Sequence, residues 1–171
     1  MRNIQIVAVG RLKEHYLTDG CAEYCKRLSA FGKVRITELE EARLPEQPSE
    51  AQIRAALEAE GERIIEKAAG SCLIALCVEG KLLSSEELAR TLDQLEVRGT
   101  SAFTFVIGSS FGLCDAVKKA AALRLSFSLQ NAYRVNPILY AIKQIPLLKR
   151  LLPDSLYACA GLKIFGQVLA V

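Results

Sequence analysis

Apolar and polar positions along this chain fall into blocks whose period switches repeatedly between that of a strand and that of a helix. Ile4 to Val9 is a short apolar run, closed by Gly10, and reads as a strand. From Leu12 to Leu28, the residues Leu17, Cys21, Tyr24 and Leu28 recur at helical spacing. Val34 to Leu39 reads as a short strand and leads into Glu40–Glu50, a loop holding Pro45, Pro48 and four glutamates. Ser49 is the expected N-cap of a helix over Glu50–Ala69. In that helix Ile53, Ala56, Leu57, Ile64, Ile65 and Ala68 make an apolar stripe, and the Glu, Arg and Lys positions a solvated face.

Cys72 to Val78 reads as a buried strand, Glu79-Gly80-Lys81 as a turn, and Ser84-Ser85-Glu86-Glu87 as a capping box opening a helix to Val97. Phe103 to Ile107 is continuously apolar or β-branched, as a strand buried on both faces must be. Asp115 to Leu123 has helical composition, and Leu123 to Ser128 supplies a last short strand. Strands and crossover helices thus alternate throughout. The expected fold is α/β, a parallel sheet with helices on both faces.

The stretch that organises the chain is Phe103 to Leu113. Its strand breaks at Gly108, passes Ser109 and Ser110, and meets Gly112 before the next helix. A strand, a glycine-bounded turn and a helix present backbone N–H groups to a ligand at the carboxyl end of a parallel strand. The same residues also suit a tight turn with no ligand. The turn lacks the lysine and Ser/Thr of a P-loop, and it comes too late in the chain for a dinucleotide fingerprint. A ligand without a polyphosphate fits better, an adenosine-like molecule gripped by backbone groups and apolar side chains.

Composition narrows the picture. With 171 residues, half of them apolar and a quarter charged, the chain suits one globular domain. The N-terminal apolar run is too short for a signal peptide, and no window spans a membrane, so a cytoplasmic protein is expected. Cys21 and Cys25 lie a helical turn apart, but no second pair at ligand spacing joins them, and His15 is the only histidine. No metal site is expected, and the cysteines read as reduced thiols. His15 reads as a surface residue, and Lys118-Lys119 as a solvated face near the glycine turn. The net charge of +3 divides unevenly: residues 1–128 carry −1 and residues 129–171 carry +4. Bulk charge in the body makes no claim on nucleic acid, so any RNA contact there must come from local patches.

Several motifs follow one another in a recognisable order. They are Ile6-Val-Ala-Val-Gly10, Glu23-Tyr24-x-Lys26-Arg27-Leu28, Glu60-Gly-Glu-Arg63-Ile64, Ile74-Ala-Leu76, Gly80-Lys81-x-Leu-Ser-Ser-Glu-Glu87, Phe105-Val-Ile-Gly108-x-Ser-x-Gly112-Leu and Leu125-Ser-Phe-Ser128. Over residues 3–128 the chain resembles ribosomal RNA large subunit methyltransferase H, a family of small SPOUT-class α/β-knot enzymes. The resemblance implies S-adenosyl-L-methionine as cofactor, held in a trefoil knot at the carboxyl ends of the strands, and methyl transfer to N3 of a pseudouridine in 23S rRNA of the ribosome. By motif, Leu76 ends the strand flanking the cofactor, Gly108 lets the backbone approach it, and Phe127 and Ser128 begin the third cofactor segment. Gly112 shapes the turn, and Ser109 stands where the family has a second glycine. No catalytic side chain is assigned, which suits a mechanism dominated by placement. The resemblance also implies a homodimer. The alternative function is a catalytically inactive module that binds adenosyl ligands or the ribosome.

The family continues after Ser128 with Pro-His-Gln, then Glu-Gln-x-Tyr-Arg-Ala and Pro-Tyr-His, whereas this chain reads Leu129-Gln-Asn-Ala-Tyr-Arg-Val-Asn-Pro137 and runs on without a histidine. The chain therefore divides into a body, 1–128, and an atypical apolar, basic tail, 129–171, in the place of the knot-closing helix. Membrane contact of this tail is not expected, and with a changed tail self-association is expected to be poorly defined, not a clean symmetric dimer. Motif match and charge balance break together, as a shift of reading frame or a fusion near codon 129 would make them do. Translating the other two frames from codon 125 checks this: the missing Pro-His-Gln and Glu-Gln-x-Tyr-Arg-Ala runs are expected in one of them, and their absence from both removes the frameshift.

Overall fold

A computed structural model describes residues 2–30 and 32–126. The elements are β1 (Arg2–Val9), α1 (His15–Leu28), β2 (Gly32–Leu39), α2 (Glu50–Ala68), β3 (Cys72–Leu82), α3 (Ser85–Val97), β4 (Ala102–Ile107), α4 (Asp115–Ala120) and β5 (Leu123–Ser126). The strands form one sheet in the order β2-β1-β4-β3-β5, every neighbouring pair parallel.

Alternation along the strands sends side chains to two separate cores. On one face, Ile4, Ile6, Ile74, Phe103 and Phe105 pack under α1 (Leu17, Cys21, Leu28) and α3 (Leu88, Leu92). On the other, Val7, Leu73, Ala75 and Val106 pack under α2 (Ile64, Ala68) and α4 (Val117). The expected parallel sheet with helices on both faces is therefore the observed one. Full burial of Phe103 and Phe105 contributes about 1.5–3 kcal/mol each.

The expected N-cap at Ser49 and the expected capping box at Ser84 both form, and Ser49 turns out to make a full capping box as well. The Ser49 hydroxyl accepts from the Gln52 N–H while Gln52 accepts from the Ser49 N–H, and Ser84 and Glu87 do the same for α3. Other boundaries differ from the sequence reading, each for a local reason. Helix α1 starts at His15 because the Leu12 N–H donates instead to Glu38 Oε1 (3.0 Å). Helix α4 stops at Ala120: the Ala122 N–H donates to the Leu73 carbonyl (2.9 Å), and Leu123 then pairs with Ile74, so the sheet takes the last helical-looking residues.

The expected turn at Glu79-Gly80-Lys81 belongs to β3. Leu76 and Lys81 both pair with Leu125, and the four residues between them form an irregular excursion within the strand. Glu79 on this excursion binds Lys118 of α4 (2.6 Å). The Lys118 hydrogen bond lowers the Glu79 pKa, and Glu79 in turn raises that of Lys118. Gly80 sits where a side chain has no room, because a Cβ there would lie 2.7 Å from Ser126 N and 2.8 Å from Leu125 N. Glu60 departs further from the sequence reading. It lies on α2 among positions expected to be solvated, yet it is 3% exposed. Its Oε1 accepts from the Ala42 N–H (2.8 Å), while Oε2 has no partner among the described residues.

Because backbone blocks the Gly80 position, Gly80→Ala must displace β5. The expected cost is about 1–3 kcal/mol, a fall in melting temperature of roughly 2–4 °C per kcal/mol for a chain of this size. Thermal unfolding of the variant beside the parent checks it, and an unchanged melting temperature contradicts the close β3–β5 approach.

Candidate cofactor site

The carboxyl end of β4 has an unusual position. Chains leaving the neighbouring strands, β1 through α1 and β3 through α3, pass to one face, whereas β4 leaves through α4 to the other. Connections that diverge in this way open a crevice beyond the strand ends, which is where open α/β sheets bind ligands. Gly108 opens the chain's exit from β4 at that crevice. Leu76 of β3 lies beside it, in register with Ile107. Both Leu76 and Gly108 are half-buried, so the floor is apolar and accessible. The other two expected cofactor residues, Phe127 and Ser128, lie outside the described residues, as do the expected knot-closing segment and the tail.

The turn after Gly108 closes on itself. The Gly112 N–H donates to the Ser109 carbonyl (2.9 Å), and Gly112 holds φ +92°, a conformation that favours glycine. A Cβ on Gly108 would overlap the carbonyl of Gly112. The turn itself therefore requires this glycine, before any ligand does, and a bulky substitution there tests the loop rather than ligand approach alone. Phe111, at the tip, leaves its ring 48% exposed.

One acidic residue reaches this turn that the sequence reading did not single out. Glu41, from the loop after β2, accepts at Oε1 from the Ser110 N–H (3.3 Å) and the Ser110 hydroxyl (3.0 Å). The same loop is pinned by the buried Glu60 through the Ala42 N–H. Sixty-nine residues separate Glu41 from Ser110, so only the fold brings them together. The one available signal was the density of glutamates in that loop.

The other candidates offer little chemistry of their own. His15 is an exposed first residue of α1. Burial pushes the Cys21 thiol up to about 11, with Cys25 and Glu38 adding to the shift, and burial also raises Cys25, Cys72 and Cys77. Such thiols are poor nucleophiles near neutrality. Among the described residues no three His, Cys, Asp or Glu side chains converge as a metal site, and no helix is long and apolar enough to cross a membrane.

The features that would receive an adenosyl ligand are thus an apolar floor, a closed backbone turn and a carboxylate beside it. This set fits S-adenosyl-L-methionine, whose purine needs apolar walls and whose sulfonium is positively charged.

Comparison with known proteins agrees with this geometry. The family described as "Predicted SPOUT methyltransferase" matches residues 2–131. Ribosomal RNA large subunit methyltransferase H of Pelotomaculum thermopropionicum is 50% identical over 129 residues, covering 75% of this chain and 81% of that protein. The protein of the same name from Leuconostoc mesenteroides is 48% identical over 144 residues, 84% of this chain and 91% of its own length. Among solved structures, the "Probable Methyltransferase from Bordetella pertussis Tohama I" shares the fold at TM-score 0.50 and 15% identity, over 86% of this chain and 94% of that one. A carboxyl-end crevice built from the matched motifs, and identity of this extent, lead to one conclusion: the chain belongs to the SPOUT methyltransferases, in the family of ribosomal RNA large subunit methyltransferase H.

Proposed function

We propose that this protein transfers a methyl group from S-adenosyl-L-methionine to N3 of a pseudouridine in 23S rRNA, acting on the ribosome in the cytoplasm. The observation that carries the reading is the pairing of Leu76 with Ile107, which sets Leu76 beside Gly108 at the crevice flanking β4 in a member of a methyltransferase family. Leu76 and Gly108, with Phe127 and Ser128 from the following segment, would hold the cofactor. When bound, it supplies a methyl group already activated on a cationic sulfur.

What remains for the chain is placement. An apolar floor at Leu76 and Ile107 excludes water from one side of the ligand, and the closed Ser109–Gly112 turn holds its backbone without reorganisation. Glu41 keeps Ser110, and with it the turn, in place. Its negative charge beside the crevice favours a cationic ligand. The imide proton at N3 leaves to solvent in this reading, because no side chain of the described residues is assigned as its base.

Two measurements bear on the proposal. Full-length protein incubated with ribosomes lacking the methyl group and with methyl-labelled cofactor is expected to label 23S rRNA at a pseudouridine. Calorimetric binding of the cofactor without transfer would instead favour the inactive binding module. Separately, Glu41→Ala removes an exposed hydrogen bond to the turn, a loss of about 0.5–1.5 kcal/mol, and is expected to weaken cofactor binding roughly two- to tenfold. The melting temperature should fall by no more than about 1–6 °C, so the variant stays folded at the temperature of the binding measurement. Unaltered calorimetric affinity in that variant would remove Glu41 from the site.

A further inference from the structure

The opposite end of the sheet has a polar floor where a parallel sheet ordinarily has an apolar one. On the α2 face, Lys33, Asn3 and Ala102 form one row of register partners, and Arg35, Gln5 and Thr104 form the next. One step further along, Val7 and Val106 are fully buried under the helices. Parallel strands covered on both sides are apolar on both sides, so the first two rows are shaped for something other than a packing helix. They line, with Ser71, a cleft of about 430 Å³ beside the end of α2, a volume in the range of ligand sites.

The chemistry of the cleft is one-sided, since no carboxylate lines it. Its buried polar groups are already arranged. Gln5, 7% exposed, donates to Thr37 Oγ1 (3.2 Å) and accepts from Arg35 Nη2 (2.5 Å). The Ser71 hydroxyl donates to the Ala68 carbonyl (2.7 Å) and so receives the Thr104 hydroxyl proton (2.6 Å). This network uses one nitrogen of the Arg35 guanidinium and fixes its direction. Among the described residues neither Arg35 nor Lys33 has a carboxylate partner, whereas Arg11, Arg27 and Lys118 do. A guanidinium held in place, a neighbouring ammonium and the Asn3 amide make a donor set for a tetrahedral oxyanion.

We infer that this cleft is a phosphate-binding site, and that its phosphate is a backbone phosphate of the RNA substrate, engaged at the end of the sheet remote from the methyl-transfer crevice. The phosphate chemistry rests on the cleft itself, and the RNA source rests on the proposed function. Counting along β4, the Thr104 row lies four residues from Gly108, roughly 13 Å, so both ends can meet one extended RNA.

The experiment compares the full-length chain with Lys33→Gln/Arg35→Gln. A second variant, Arg90→Gln/Arg98→Gln, removes equal charge from α3 and its C-cap on the other face. Inorganic phosphate, titrated at constant ionic strength, is expected to raise the melting temperature of the parent and of the α3 variant but not that of the cleft variant. With a labelled 23S rRNA fragment, the cleft variant is expected to bind about tenfold more weakly and to lose one to two units of salt slope. Its calorimetric affinity for S-adenosyl-L-methionine should be unchanged, which shows that it is folded. A phosphate effect confined to the cleft residues, with unchanged RNA binding, keeps the phosphate site and overturns its RNA source. If no variant binds the RNA but phosphate still stabilises the parent through these residues, the RNA substrate fails and the cleft stands. Equal responses of the two double variants to phosphate overturn the site.

Discussion

The fold turns on the fact that β4 has neither a free edge nor a free face. It is paired on both sides, by β1 and β3, and covered above and below. A strand in that position is mostly apolar, as Phe103, Phe105, Val106 and Ile107 are; the one polar side chain among them, Thr104, is buried with its hydroxyl bonded to Ser71. Such a strand also has only one place to go when it ends. Connections from its neighbours occupy one face, so the chain leaves by the other, and the turn that makes this exit stands at the mouth of the resulting crevice. The glycines at 108 and 112 are consequences of that exit. One removes the Cβ that would meet the returning carbonyl, and the other adopts the positive φ that brings the carbonyl back.

Much of this was legible in the sequence because it depends on local patterns. The strand and helix order, the Ser49 N-cap, the Ser84 capping box and the position of the organising turn need only periodicity and a few stop signals. What was not legible depends on contacts distant in sequence. Glu79-Gly80-Lys81 looks like a turn because glycine between charged residues ordinarily is one. Here it is an excursion in a strand, with Gly80 accommodating β5 and Glu79 paired to Lys118. Glu60 looks solvated because helical periodicity identifies faces but not what lies against them. The folded loop at Ala42 buries it. Glu41 could not be singled out at all, since its partner Ser110 lies far along the chain.

The body and the tail stand differently toward the family. Matching motifs touch β1, β3, β4 and β5 but not β2, and one family profile spans residues 2–131. The match to the Leuconostoc protein covers 84% of this chain, a span that residues 1–128 alone cannot supply. Alignment therefore continues into a region where the family's histidine motifs are absent. The residues expected to continue the third cofactor segment lie outside the described residues, whereas Leu76 and Gly108 lie within them.

Near-neutral charge in that body conceals an axis. Strand β2 opens with Lys33 and Arg35 and closes near Glu38, and Glu40 and Glu41 follow it directly. Because all five strands are parallel, this one segment places cations at the amino end of the sheet and carboxylates at the carboxyl end. The two ends therefore suit opposite ligands: a cationic sulfonium where Glu41 meets the β4 turn, and an oxyanion where Gln5 holds Arg35. Net charge averages these away, which is why a composition argument finds no claim on nucleic acid in residues 1–128. A parallel sheet converts order along a strand into position in space, so the separation of sign along β2 becomes a separation of charge between the two ends of the sheet.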